Sequence, residues 1–224
     1  MDRPLLKDIS NATFHLRTKS IPSQNHSKKM KFQFTEKFIL ASGSPRRKQL
    51  LNDLGLNFEV YLTNADEDFS SVLTKAEIPL FLAEKKALAV PNFLAENHTI
   101  IAADTIVWIN EKVLNKPQNF KEAFEMISEI SGNKHTVFTG VCLRRKEHIK
   151  TFYCATEVTF RQLIPEEIIF YIENFKPFDK AGGYGAQDWI GLVGIEKLNG
   201  CYFNVMGLPV RDLYLQLQSF PPLK

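Results

Sequence analysis

From Phe38 onward the chain alternates apolar, strand-like runs with amphipathic helical runs, and this order constrains the fold class more than any single motif does. Residues 38–42 predict a buried strand, 45–54 a helix stopped by Gly55, and 58–62 a second strand. An acidic loop, Asn64-Ala65-Asp66-Glu67-Asp68, follows, and residues 79–90 predict a helix halted by Pro91. Residues 99–109 read as a strand, with a turn at 110–112 into a short strand at 113–114. Phe120, Ala123, Phe124, Ile127 and Ile130 recur at helical spacing, and Gly132 closes that helix. Residues 135–143 and 150–160 are rich in β-branched and aromatic side chains and predict an antiparallel hairpin across a charged turn at 144–147. Residues 165–175 predict a helix with Ile168, Ile169, Ile172 and Phe175 facing inward. A glycine-rich loop spans 179–187, and 210–218 supply a last helix after the Gly207-Leu208-Pro209 break. The expected fold is α/β, a mixed twisted sheet with flanking helices.

At 224 residues the chain can bury a sizeable core. Residues 1–31 are polar, rich in Ser, Asn and Lys, and aperiodic, so they are expected to be a disordered or loosely attached basic extension to a domain at 32–224. Met30 offers an alternative start, and a basic, acid-poor presequence is the other reading of this segment. The net charge of +3 is located there: residues 1–29 hold six Lys/Arg against two acids, which leaves the rest slightly negative. A nucleic-acid-binding domain keeps its basic excess on the folded part, so no nucleic-acid partner is expected. Cys142, Cys154 and Cys201 form no CxxC pair, which argues against structural zinc and for reduced thiols. No run approaches the roughly 18 apolar residues of a membrane span, and no apolar signal core is seen. A cytoplasmic protein without a membrane partner is expected.

The chemistry is suggested by a few polar groups set at strand ends. Leu40-Ala41-Ser42-Gly43-Ser44-Pro45-Arg46-Arg47 packs two hydroxyls, a glycine and two arginines into a strand-to-helix junction. Free backbone N–H groups and the helix dipole suit an anion there, and arginine adds fork-shaped contacts to phosphate oxygens. The same residues also suit plain capping, with Ser44 as N-cap, Pro45 at the first helical position and the arginines in solvent. Asp104 interrupts an apolar strand, where a carboxylate costs several kcal/mol unless paired or solvated. It reads as a base or metal ligand at a cleft, or as an aspartate bonding backbone at a strand kink. Lys86, Lys116 and the 66–68 acids each read, alone, as solvated charges. No GxxxxGK[ST], GxSxG or HExxH motif is present, and the five histidines are scattered.

Taken together, six segments resemble the Maf-like nucleotide pyrophosphatases. They are the 40–47 run, Leu82-Ala83-x-x-Lys86-Ala87, Ala103-Asp104-Thr105, Asn115-Lys116-Pro117, Asp179-Lys180-Ala181-Gly182-Gly183-Tyr184-Gly185-x-Gln187 and Asn204-Val205-Met206-Gly207-Leu208-Pro209. They are collinear from about Phe38 to Leu217. The resemblance implies two lobes around a deep substrate groove and hydrolysis of a nucleoside triphosphate to the monophosphate and pyrophosphate, with Mg or Mn. It maps phosphate binding onto Ser42, Ser44, Arg46 and Arg47, and charge neutralisation onto Lys86, Lys116 and Lys180. Asp104 corresponds to the family's proton acceptor. Glu67, with Asp104, corresponds to the metal-binding carboxylates, in a register uncertain by one residue among Asp66, Glu67 and Asp68. At the three positions that separate the family's branches this chain has Arg46, Thr105 and Gln187, the combination of the dTTP/UTP branch. A homodimer is the assembly the resemblance implies. The rival readings are the same chemistry on a methylated purine triphosphate, and a nucleotide-binding regulator of cell division. The latter has no need of a base such as Asp104.

Overall fold

The structure, a computed structural model, describes Phe34 and residues 36–221. The extension expected at 1–31 therefore lies outside the described residues. In chain order the elements are β1 (Phe38–Leu40), α1 (Pro45–Asp53), β2 (Phe58–Val60), α2 (Glu77–Leu88), α3 (Asn92–Ala95), β3 (Thr99–Ile109), β4 (Lys112–Leu114) and α4 (Phe120–Ile130). They continue with β5 (Lys134–Arg145), β6 (His148–Phe160), α5 (Pro165–Phe175), α6 (Trp189–Gly194), β7 (Ile195–Asn199), α7 (Tyr202–Met206) and α8 (Val210–Ser219). Two 3-10 turns, Pro177–Asp179 and Ala181–Gly183, lie between α5 and α6.

The mixed α/β sheet expected from the sequence is present. Seven strands run in the order β2-β1-β3-β5-β6-β7, with β4 also on β3. β1 is parallel to β2 and β3, and every other pairing is antiparallel. One edge of β3 is shared: β1 lies against Thr99, Ile100 and Ile101, and β4 against Val107, Trp108 and Ile109. Among the described residues, no strand covers 102–106 on that edge, while β5 pairs along the other. Where two neighbouring strands part, an open α/β sheet forms its crevice.

Alternation along β3 distributes the core. Ile101 and Ala103 pack with Leu50 and Leu51 of α1 and with Leu213 and Leu217 of α8. Val107 and Ile109 lie on the same face but pack with Ala123 and Ile127 of α4 and Ile168 and Tyr171 of α5. These two helical groups are the two lobes, and Thr105 falls between them. On the opposite face, Ile100 and Ala102 meet Ala83 and Ala87 of α2, and Ile106 meets Ile78 and Leu82. Gly140 of β5, directly opposite Asp104, lets α2 settle onto this face. A methyl group on it would overlap the Pro79 carbonyl.

Several boundaries depart from expectation. β1 and β2 each end two residues early, because the chain turns out of the sheet into loops that border the groove. α2 begins at Glu77, so Pro79 sits in its first turn, where a missing N–H costs nothing. In α5, Ile169 and Phe175 do not face inward: both are exposed, and Tyr171 is buried beside Ile168 and Ile172. Ile169 lies about 100° around the helix from Ile168, and Phe175 ends the last turn. Phe120 is likewise exposed at the start of α4.

Candidate active site

A groove of about 360 Å³ opens between the two lobes, lined by five cations (Arg46, Arg47, Lys86, Lys116, Lys180) and three carboxylates (Glu67, Asp104, Asp179). Its size and convergent polar groups are those of a small-molecule site. Ser42 and Ser44 line it as well.

At the strand-to-helix junction the capping and anion-loop readings coincide. Ser44 is the N-cap of α1, its Oγ accepting the Arg47 N–H at 3.4 Å, with Pro45 next. Ser42 Oγ accepts the Ser44 N–H at 3.2 Å and Arg47 Nη1 at 3.1 Å. Arg47 is buried rather than solvated, donating from Nε to the Gly207 carbonyl at 2.8 Å and from Nη2 to Thr105 Oγ1 at 3.1 Å. Burial lowers its pKa, while the nearby charges of Asp104 and Glu67 act in the opposite direction. Arg46 reaches across to the Pro177–Asp179 turn, pairing with Asp179 Oδ2 at 2.6 Å.

Asp104 sits in an unbroken β3 and bonds no neighbouring backbone. Its Oδ1 accepts Lys86 Nζ at 2.5 Å, and both side chains are buried. The same Nζ donates to Glu67 Oε1 at 2.9 Å, and Lys116 Nζ reaches Glu67 Oε2 at 2.9 Å. Partial burial opposes ionisation of Glu67, but the hydrogen bonds from Lys86 and Lys116 prevail and hold its pKa down to about 2. Asp66 instead pairs with Lys85 and accepts the Asp68 N–H. Of the three loop acids, Glu67 is therefore the one that joins Asp104.

The glycine loop forms the opposite wall. Gly182 has φ +69°, and a side chain there would press on Val107, so both conformation and space call for glycine. Lys180 Nζ lies 2.9 Å from Asp179 and 3.6 Å from Asp188. Asp188 accepts the Tyr171 hydroxyl at 2.7 Å, and that hydroxyl accepts the Gly185 N–H at 3.0 Å. Gln187 lines the groove with Arg46 and Thr105, and its Oε1 is buried without a hydrogen-bond partner among the described residues. Val107, Val137, Tyr184 and Val205 give the groove an apolar portion, and Tyr184 is held by His135 Nε2 at 2.7 Å.

All eleven residues that the resemblance assigns to the site line this one groove. The sequence reading missed Tyr171 and Asp188, which hold the glycine loop, and Thr139, which bonds Thr105 at 2.9 Å. In sequence Thr139 is one more β-branched residue of a strand, and it carries no other signal.

Residues 37–220 match the family model of the Maf-like proteins. Relatives described as dTTP/UTP pyrophosphatases are 46% identical in Bacteroides fragilis and 49% in Phocaeicola vulgatus, each over 82% of this chain and 95% of their own length. One from Cytophaga hutchinsonii is 50% identical over 81% of this chain and 83% of its own. The chain belongs to the Maf-like family. Among solved structures, the Staphylococcus aureus Ham1 protein aligns remotely, at 15% identity and a TM-score of 0.43 over 82% of this chain and 99% of its own. Among the described residues, no helix is long and apolar enough to cross a membrane.

Proposed function

We propose that the protein is a nucleoside triphosphate pyrophosphatase acting on dTTP and UTP, and on modified pyrimidine triphosphates, in the cytoplasm. The observation that carries this reading is the carboxylate cluster of Asp104 and Glu67 on Lys86, in one groove with the Ser42–Arg47 anion loop. The names of relatives at 46–50% identity support it.

A triphosphate carries about four negative charges, so catalysis consists mainly of positioning, neutralisation and activation of a water. Arg46, Arg47, Lys86, Lys116 and Lys180 supply the counter-charge, and Ser42 and Ser44 orient phosphate oxygens. Asp104 takes the proton of the water that attacks the α-phosphorus. The bond to the α,β-bridging oxygen breaks, and pyrophosphate leaves. For the base, the unpartnered Gln187 Oε1 accepts from the imide N–H that thymine and uracil share, and the amide NH₂ donates to a ring carbonyl.

The donor set fits a hard divalent cation. Glu67 and Asp104 converge on one point, marked by Lys86 Nζ. No group of three or more His, Cys, Asp or Glu gathers among the described residues. One or two carboxylates completed by water and substrate phosphate is the usual Mg environment. Glu67 and Asp104 would hold Mg or Mn there, and the cation would add charge neutralisation at the phosphates.

Pyrophosphate release from a panel of nucleoside triphosphates, with Mg²⁺ and with Mn²⁺, tests the reading. dTTP and UTP should be turned over fastest. Preference for a methylated purine triphosphate, or binding without release, would replace it with one of its rivals.

A further inference from the structure

Thr139 lies on β5 directly opposite Thr105, fully buried and out of reach of any ligand. Its hydroxyl is 2.9 Å from Thr105 Oγ1 and 3.0 Å from the backbone carbonyl of Asn204 in α7. Each threonine hydroxyl has one proton to give. If Thr139 gives its proton to the Asn204 carbonyl, Thr105 gives its own to Thr139, and two bonds of ordinary length form. With the opposite polarity, the Thr105 proton has only the Gly207 carbonyl, 3.5 Å away and already holding Arg47 Nε at 2.8 Å. The first arrangement wins because both of its bonds are short. It commits the Thr105 oxygen to accepting, and the donor it meets is Arg47 Nη2 at 3.1 Å.

We propose that Thr139 is a positioning residue for the phosphate-binding arginine. Its hydroxyl sets the polarity of a relay, Arg47 to Thr105 to Thr139 to the Asn204 carbonyl, and so fixes the Arg47 guanidinium plane. The relay also ties together the elements that meet at the groove: α1 through Arg47, β3 and β5 through the threonines, and α7 through Asn204. Asn204 is buried and anchored, its Nδ2 donating to the Val137 carbonyl at 3.0 Å and to Thr156 Oγ1 at 2.9 Å. The acceptor that ends the relay is therefore fixed. Without the Thr139 hydroxyl, the Thr105 proton turns toward Gly207 and competes with Arg47 Nε for that carbonyl.

The inference rests on the pyrophosphatase reading, and wild-type turnover of dTTP tests that reading separately. The relay is tested by a double-mutant cycle of Thr139→Val and Thr105→Val. It is read both as kcat/KM and as calorimetric affinity for inorganic pyrophosphate, so a protein inactive on every nucleotide offered still gives an answer. Thr139→Val keeps the shape and should lose about tenfold in each readout, the scale of one hydrogen bond. Thr139→Ser, which keeps the hydroxyl, should recover most of that loss. In the Thr105→Val background Thr139→Val should have little further effect on either readout, because the residue through which it acts is gone. Additive losses, failure of serine to rescue, a fall in melting temperature with both readouts intact, or absence of pyrophosphate binding would each overturn the relay.

Discussion

Asp104 and Thr105 are adjacent residues, yet alternation along β3 sends them to opposite faces of the sheet and into different chemistry. On the Asp104 face, α2 brings Lys86, and the loop before it brings Glu67, into a network of full charges. Glu67 and Lys116 are each about half exposed there, with side-chain accessibilities of 49% and 48%. On the Thr105 face the partners are hydroxyls and backbone carbonyls together with the charged Arg47, and Thr139 and Asn204 are fully buried. Ion pairs open to water can exchange partners when a polyanion or cation arrives, because solvent screens them and each bond is weak. Buried neutral bonds cannot, because an orphaned polar group there costs about 1–3 kcal/mol. The outer part of the charged face, Glu67 and Lys116, is thus suited to changing its contacts during turnover, while the buried Asp104–Lys86 pair and the Thr105 face are suited to holding still.

The largest effect should come from breaking the charged face at its centre. Asp104→Asn should lower turnover by about two orders of magnitude or more, the scale of a lost general base. Melting temperature should move little, because Lys86 retains Glu67. Pyrophosphate release close to wild type would remove Asp104 from the chemistry. Arg47→Ala strikes the neutral face and should cost both function and stability: roughly 10- to 100-fold in kcat/KM, together with a lower melting temperature as Thr105 and Gly207 lose their donor. A thermal effect alone would reduce Arg47 to a structural role. Gln187→Glu should be selective, weakening dTTP and UTP relative to a poor purine substrate by about 1–3 kcal/mol. Equal losses on every nucleotide would place Gln187 beside the phosphates.

The smallest effect at neutral pH concerns His135, on the same face as Thr139. Burial drops its pKa from 6.5 to about 4. The unfolded chain therefore takes up a proton below about pH 6.5 that the folded chain refuses until about pH 4. Its contribution to stability is complete above pH 6.5 and is lost as the pH falls through that window. His135→Gln, which can still bond Tyr184, should leave the melting temperature at pH 7.5 nearly unchanged and flatten its decline between pH 6.5 and 4. An unaltered acid profile would mean that His135 is not what makes the fold acid-sensitive there.

The long regular elements were legible because periodicity and punctuation agreed: β3, α4 and α5 lie where alternation, helical spacing and flanking Pro or Gly put them. α6 and β7 carried no comparable signal. α6 is six residues with glycines at 191 and 194, and β7 is an edge strand with exposed Glu196 and Lys197. The α5 face was misread at Ile169 and Phe175 because apolar character stood in for helical angle. The groove residues were found as members of a motif set, since Lys86 or Glu67 alone looks like any surface charge. The choice of Glu67 over its neighbours needed the two lysines of the fold. Thr139 was beyond reach, because which threonine of a strand meets another strand's hydroxyl is a matter of register rather than composition.

Gly140 carries a consequence of a mechanical kind. The seven residue steps from Pro79 to Lys86 span about 10 Å of helix, so contact at Pro79 works as a fulcrum for the ammonium two turns away. The hydrogen that stands where another residue would carry its Cβ is the shim that sets how low this lever rests. A methyl group in its place would tilt the helix and lift Lys86 away from Asp104 with no charge in the groove altered. The reach of the ammonium is thus gauged by a position that carries no functional group.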